Sequence, residues 1–185
     1  ETVAAFDHLV RQGKVLYLGV SEWTVEQIQA YLDIAGTTGA ATLISNQPQY
    51  SMLWRVPETK VMPYCKQVGI GQIVWSPLAQ GVLTGKYQPG TAPPEGSRGS
   101  FESAQDAIGR WLRDDVLTAV AELRPIADGL GLTMAQLALA WVLRHDNVAS
   151  AIVGASRPEQ LHDSAKAVGV KLDDTVLAEI DRVLD

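Results

Sequence analysis

The chain has 185 residues, 46% of them apolar and 19% charged, with 15 Lys and Arg against 21 Asp and Glu. A net charge of −6 without any basic run argues against non-specific nucleic-acid or anionic-membrane binding, since both need Lys and Arg to neutralise phosphates. No apolar run approaches the ~18 residues that crossing a bilayer takes. A single cysteine, Cys65, excludes an internal disulfide framework and a Cys-based zinc site.

Residues 1–12 place Val3, Phe6, Leu9 and Val10 on one helical face, and Gly13 ends that helix. Residues 15–21 (VLYLGVS) are short, β-branched and mostly apolar, which predicts a strand. Thr24 then opens a helix with Gln27 at capping-box spacing, and Ile28, Tyr31, Leu32 and Ala35 continue its apolar stripe. The alternation recurs with a strand at 41–46, a helix at 56–68 and a strand at 72–76. After an irregular stretch come helices at 114–129 and 133–144, the second opened by Thr133 and Gln136, then a strand at 149–153 and helices at 158–168 and 173–184. The strands are continuous apolar runs, which predicts burial on both faces, as in parallel strands covered by helices. Strand–helix repetition with right-handed crossovers leaves an open doubly wound sheet or a (β/α)8 barrel.

Between residues 85 and 100, nine of sixteen residues are Gly, Pro or Ser, which excludes a regular element. The stretch lies inside a connection spanning about 78–110, far above the usual loop length of ~4–6 residues. A lid and a loosely held insertion both fit that composition.

Each strand changes character where it ends: Ser21 and Glu22 after the first, Asn46 and Gln47 after the second, Trp75 and Ser76 after the third, Gly154 and Ser156 after the fourth. Carboxyl ends of parallel strands open onto the active face. One such change only marks an exit from the core; four in succession point to a shared site. Trp75 offers a flat stacking surface, and Pro77 turns the chain away rigidly. Gly81, Gly85 and Lys86 have the look of a phosphate loop but not Walker A spacing: three residues separate the glycines, and Tyr87 follows the lysine. Ser156 and Glu159 stand at capping-box spacing with Pro158 in the first turn, which accounts for a helix start. Arg157 is not accounted for that way, because a cation at a helix N-terminus is favourable only when an anion docks there. His8, His145 and His162 read as surface residues of helices with no i, i+4 partner, so no metal site is expected. Asp114, Asp115, Asp173 and Asp174 read as helix starts, and Cys65 as an inert thiol on an apolar face.

Together these segments resemble the aldo-keto reductase family, (β/α)8-barrel enzymes that reduce carbonyls with NADPH. The resemblance rests on Gly19-Val20-Ser21, Asn46-Gln47-Pro48-Gln49-Tyr50, Trp75-Ser76-Pro77-Leu78 with Gly81 and Gly85-Lys86-Tyr87, and Gly154-Ala155-Ser156 with Gln160; residues 135–141 (AQLALAW) fit a structural helix of the family. It runs along the whole chain and is nearest to the branch holding the potassium-channel β-subunits and their bacterial relatives, which carry Trp where other members place Tyr. By position it implies that Ser21 and Gln47 bond the nicotinamide carboxamide and that Trp75 stacks on the ring. It implies that Ser76, Pro77, Leu78, Gln80 and Lys86 line the pyrophosphate, that Arg98 closes over the cofactor, and that Gly154, Ser156, Arg157, Gln160 and Asp163 hold the adenosine end. Ser156 and Arg157 would take the 2′-phosphate, which favours NADP(H) over NAD(H). The family often has Asn or Arg where this chain has Glu22, and no cofactor role is assigned to that acid.

The resemblance covers only the second half of the family pattern, strands five to eight of the TIM barrel, so residues 1–185 are expected to be the C-terminal, cofactor-binding half of one barrel. The family's Asp, Tyr, Lys and His tetrad lies in the first half, so no catalytic residue is assigned here and the isolated chain is expected to be inactive. The resemblance further implies a cytoplasmic protein with a small carbonyl substrate and homo-oligomeric partners. Two other readings stand beside the reductase: a redox-sensing nicotinamide-binding subunit, and a non-catalytic half-barrel that self-associates.

Overall fold

Four strands, β1 (Leu18–Ser21), β2 (Leu43–Gln47), β3 (Gly71–Val74) and β4 (Val148–Ala151), form one parallel sheet in the computed structural model, which describes residues 1–184. Each strand pairs with its sequence neighbour, in the order β1-β2-β3-β4. The winding therefore runs in one direction. A doubly wound sheet reverses at a switch point and a barrel does not, so the strand order matches barrel winding.

The helices are α1 (Thr2–Arg11), α2 (Val25–Thr38), α3 (Val61–Gln67), α4 (Gln105–Ile108), α5 (Asp114–Glu122), α6 (Arg124–Gly129), α7 (Met134–Val142), α8 (Pro158–Ala165) and α9 (Asp174–Leu184). Two of the three expected capping boxes form. Gln27 N donates to Thr24 Oγ1 at 3.3 Å while Thr24 N donates to Gln27 Oε1 at 2.9 Å, and Thr133 and Gln136 repeat the exchange at 3.2 and 3.0 Å. Two expected long helices are each broken. The first breaks at Lys60 (φ −142°, ψ −53°) into a 3-10 turn, Val56–Thr59, and α3. The second is interrupted at Leu123, whose backbone stays in the right-handed helical region (φ −74°, ψ −16°), and Pro125 just beyond has no N–H to continue the α5 ladder.

The expectation that the strands are buried on both faces is corrected. Leu18, Val20, Leu43, Val74 and Val148 are buried under the helices. On the opposite side Gly19 and Ser21 are exposed, and Ile44 and Ile152 are 46% and 44% exposed. Helices cover one face only among the described residues.

The long connection makes packing contacts with the rest of the chain. Tyr87 is buried and its hydroxyl accepts from Gly99 N at 3.0 Å, Gln105 Nε2 donates to Gly99 O at 3.0 Å, and Gly90 N donates to Asp114 Oδ1 at 2.8 Å.

A polar brace ties the end of α7 to the turn after β2. Glu58 Oε1 accepts from Arg144 Nη2 at 2.5 Å and from the Tyr50 hydroxyl, with His145 Nε2 at 3.3 Å. Arg144 also donates to Tyr50 Oη at 2.7 Å and lies over the Trp141 ring at 3.5 Å, while Tyr50 stacks on Trp141 with centroids 5.3 Å apart. Burial opposes ionisation of Glu58, but hydrogen bonds from His145, Tyr50 and Arg144 outweigh it and bring its pKa from 4.5 to about 2. Burial pushes the Tyr50 phenol well above its usual range. His145 is thus a half-buried member of this brace beyond the end of α7, not a surface residue on a helix. Burial likewise pushes the Cys65 thiol up, away from the reactive thiolate.

Candidate functional site

The ends of three neighbouring strands are held side by side. Ser21 and Gln47 are partners in register, and Ser21 Oγ donates to the Gln47 main-chain oxygen at 2.8 Å. Past β3, Trp75 bridges to Gln49: Tyr50 N donates to Trp75 O at 3.2 Å and Trp75 N to Pro48 O at 3.1 Å. This pairing puts Ser21 level with Gln47 and Trp75 level with Gln49, two residues further along, all at the carboxyl edge of the sheet.

Strain concentrates at the same edge. Glu22, Ser76, Ala79 and Gln80 have φ of 57°, 53°, 46° and 61°, and they are all of the non-glycine residues with positive φ among the described residues. Such conformations cost ~1–3 kcal/mol each and persist only where surrounding contacts impose them. Two of those contacts are visible at Glu22. Its Oε1 accepts from Gln49 N at 2.5 Å and from the Trp75 indole Nε1 at 2.9 Å.

Directly after Trp75, Ser76 and Pro77 enter the wall of a groove of about 890 Å3, inside the ~300–1,000 Å3 range of small-molecule and cofactor sites. One wall carries Ser76, Pro77, Leu78, Gln80, Lys86 and Arg98; the other carries Gly154, Ser156, Gln160 and Asp163. Within the first wall, Gln80 Nε2 donates to Ser76 Oγ at 2.6 Å and Gln80 Oε1 accepts from Arg98 Nη1. Gly81 has φ +98°, and a Cβ there would stand 3.2 Å from Lys86 Nζ and 3.3 Å from Lys86 Cε. Glycine at 81 therefore keeps open the lane in which the lysine lies.

In the second wall the expected Ser156–Glu159 box is replaced. Ser156 N and Arg157 N donate to Gln160 Oε1 at 2.8 and 3.3 Å, so the Gln160 amide reaches back over both N–H groups and caps α8 itself. Asp163 is committed to α7, accepting from Gln136 Nε2 at 2.7 Å and Thr133 Oγ1 at 3.2 Å. Arg157 sits exposed at the N-cap of α8 and does not line the groove. Among the described residues none of Lys86, Arg98 and Arg157 forms an ion pair. Two of these cations, Lys86 and Arg98, line the groove without an acidic partner, and Arg157 stands exposed next to the lining residue Ser156, in a chain of net charge −6.

Two residues that sequence reasoning left without a role stand at the same edge. Glu22 carried one signal, an acid at a strand end. Arg110 carried none: its guanidinium lies between the Trp54 and Trp111 rings at 4.7 and 4.6 Å and donates to Gln49 Oε1 at 3.3 Å, contacts that only the folded long connection creates.

The aldo/keto reductase family model matches residues 1–185. The chain belongs to the aldo/keto reductase family. Its curated relatives include a protein named probable voltage-gated potassium channel subunit beta from Arabidopsis thaliana, 43% identical over 187 residues that cover 100% of this chain and 57% of the relative. A protein of the same name from Oryza sativa subsp. japonica is 39% identical over 171 residues, covering 92% and 52%. A putative voltage-gated potassium channel subunit beta from Schizosaccharomyces pombe is 40% identical over 190 residues, covering 100% and 55%. The chain spans about half the length of the curated relatives it matches. The family implies a TIM barrel, and the one-way parallel sheet with its helices agrees with that architecture.

Proposed function

We propose that residues 1–185 are the cofactor-binding half of an NADPH-dependent carbonyl reductase, supplying strands five to eight of a single barrel. One observation carries the reading: Ser21, Gln47 and Trp75 lie at the carboxyl edge of the sheet, and the residues that follow Trp75 enter a groove lined by Lys86 and Arg98, with the exposed Arg157 next to the lining residue Ser156. A hydroxyl and an amide suit a carboxamide, an indole suits a flat ring, and the cations suit phosphates. The lane that Gly81 leaves for Lys86 supports the pyrophosphate end, and Arg157 beside Ser156 supports a 2′-phosphate and hence NADP(H).

NADPH, when bound, supplies hydride to the carbonyl carbon while the carbonyl oxygen takes a proton. This chain's residues bind and orient. Ser21 and Gln47 hold the carboxamide, Trp75 fixes the ring plane, Ser76, Pro77, Leu78, Gln80 and Lys86 cradle the pyrophosphate, and Arg98 closes over it. Gly154, Ser156, Arg157 and Gln160 receive the adenosine end, with Asp163 fastening α8 to α7 beneath them. The proton donor belongs to the family's Asp-Tyr-Lys-His set, for which none of these positions is a substitute. The uncovered sheet face, with Ile44 and Ile152 exposed, supports further strands closing over it. A cytoplasmic, homo-oligomeric reductase acting on a small aldehyde or ketone completes the proposal.

The relatives are named as channel subunits, which favours a second reading in which this chain serves a regulatory subunit; with the dinucleotide groove proposed above, that subunit would be a nicotinamide-binding sensor of redox state. NADPH titration and aromatic-aldehyde reduction by the full-length protein separate the two. Binding with fast turnover supports the reductase, binding with negligible turnover supports the sensor, and no dinucleotide binding refutes both.

A further inference from the structure

Glu22 is held at considerable cost in a place where the family pattern asks for no acid. It is not glycine, yet it adopts φ 57°, and its side chain is drawn to one specific pair of donors. Gln49, which supplies the main-chain N–H, is buried at 6% exposure, so that donor has little access to water as an alternative partner. The indole N–H of Trp75 supplies the other bond, to the same oxygen.

The geometry has a mechanical consequence. Trp75 is fixed at its backbone by ladder bonds to Tyr50 and Pro48, and its side chain turns about only two bonds. A hydrogen bond at the far edge of the indole removes both rotations. The ring plane is then set by Glu22, which is itself anchored to the neighbouring strand through Gln49. Charge adds a second consequence. Glu22 Oε2 accepts no hydrogen bond among the described residues, and the carboxylate is exposed, beside the ring on which the nicotinamide would stack. That ring is neutral in the reduced cofactor and cationic in the oxidised one, so a fixed negative charge there distinguishes the two forms.

We propose that Glu22 is the positioning residue of the Trp75 platform and that its charge biases the site toward the oxidised dinucleotide. The proposal rests on the dinucleotide reading given above. In physical terms it makes the bound reduced cofactor a better hydride donor, because the product of donation is the form that Glu22 stabilises.

The test uses the full-length protein and its E22Q, E22L and W75F variants. Isothermal titration with NADPH and with NADP+ at low salt gives both affinities, and the 1H–15N spectrum without cofactor gives the Trp75 indole N–H resonance, assigned by its loss in W75F. Gln keeps an acceptor oxygen and loses the charge. E22Q should therefore keep the indole resonance near its wild-type position and hold NADPH affinity within about twofold, while NADP+ affinity falls about fivefold, the factor expected for two unit charges a few ångströms apart near water. E22L should move the indole resonance and weaken both dinucleotides, and adding W75F should cause little further loss. An unchanged NADP+ to NADPH ratio in E22Q overturns the charge role. An unmoved indole resonance in E22L overturns the positioning role, whatever the cofactor does. Wild-type protein that binds neither dinucleotide removes the reading on which the proposal stands, a result separable from the other two.

Discussion

Replacing Glu58 with Gln removes the charge at the centre of the brace while leaving an oxygen in place. A carboxyl brought from 4.5 to about 2 corresponds to ~3 kcal/mol of stability at neutral pH. The Glu58 side chain is 26% exposed, and solvent screening brings the expected loss in E58Q to ~2 kcal/mol. The sign follows from the lowered pKa. The contribution is complete above the unfolded value of 4.5 and disappears as pH falls toward about 2, where the native carboxylate itself takes a proton. Urea unfolding of wild type and E58Q at about pH 7, 5, 4 and 3 measures the gap between them directly. It should stand near ~2 kcal/mol at the two higher values and narrow at the two lower ones as wild type loses what the variant never had. A gap that stays constant with pH, or one near zero at neutrality, refutes the role given to Glu58 and to its bonds with Arg144, Tyr50 and His145.

Other outcomes follow from the packing of the long connection and the groove. Gly99→Ala places a Cβ 2.9 Å from Tyr87 Cε1 and 3.1 Å from Leu112 Cδ1, so it should lower Tm and speed proteolysis within residues 85–105; unchanged cleavage would show that Gly99 does not anchor the segment. Gly81→Ala combines a strained φ of +98° with crowding of Lys86, and should weaken NADPH several-fold, with a stability loss of ~1–3 kcal/mol. Equal NADPH affinity in G81A by titration would remove Lys86 from the phosphate path. Residues 1–185 expressed alone should not oxidise NADPH with an aromatic aldehyde, and turnover above the buffer rate would mean that a proton donor had been overlooked among them.

Local signals carried most of the element order. Thr24 with Gln27 and Thr133 with Gln136 are complete statements within four residues, and both boxes form. Gly13, at φ +69°, follows α1 as its freedom at positive φ predicts. Pro125 was an equally local signal that the helix pattern concealed: the apolar spacing continues through it while its missing N–H cannot. The one-sided burial of the strands was not legible, because an apolar strand reads the same whether or not something covers its second face. The brace and the Glu22 contacts were out of reach for another reason. Glu58 meets Arg144 across 86 residues, and Glu22 meets Trp75 across 53, so neither pairing leaves a spacing to read. At the site itself, residue types at strand ends were readable one by one, whereas the groove that joins Lys86 to Ser156 exists only once the long connection folds back on α7 and β4.

The central claim is that this groove holds a nicotinamide dinucleotide by its phosphates, and Arg157 discriminates most sharply. Isothermal titration of the full-length protein and of Arg157→Ala with NADPH and NADH measures it. A charge-assisted contact to the 2′-phosphate is worth ~1.5–3 kcal/mol, so NADPH affinity should fall about 10- to 100-fold in the variant while NADH affinity stays within about twofold. Equal loss for both dinucleotides, or no binding of either by the wild type, contradicts the claim.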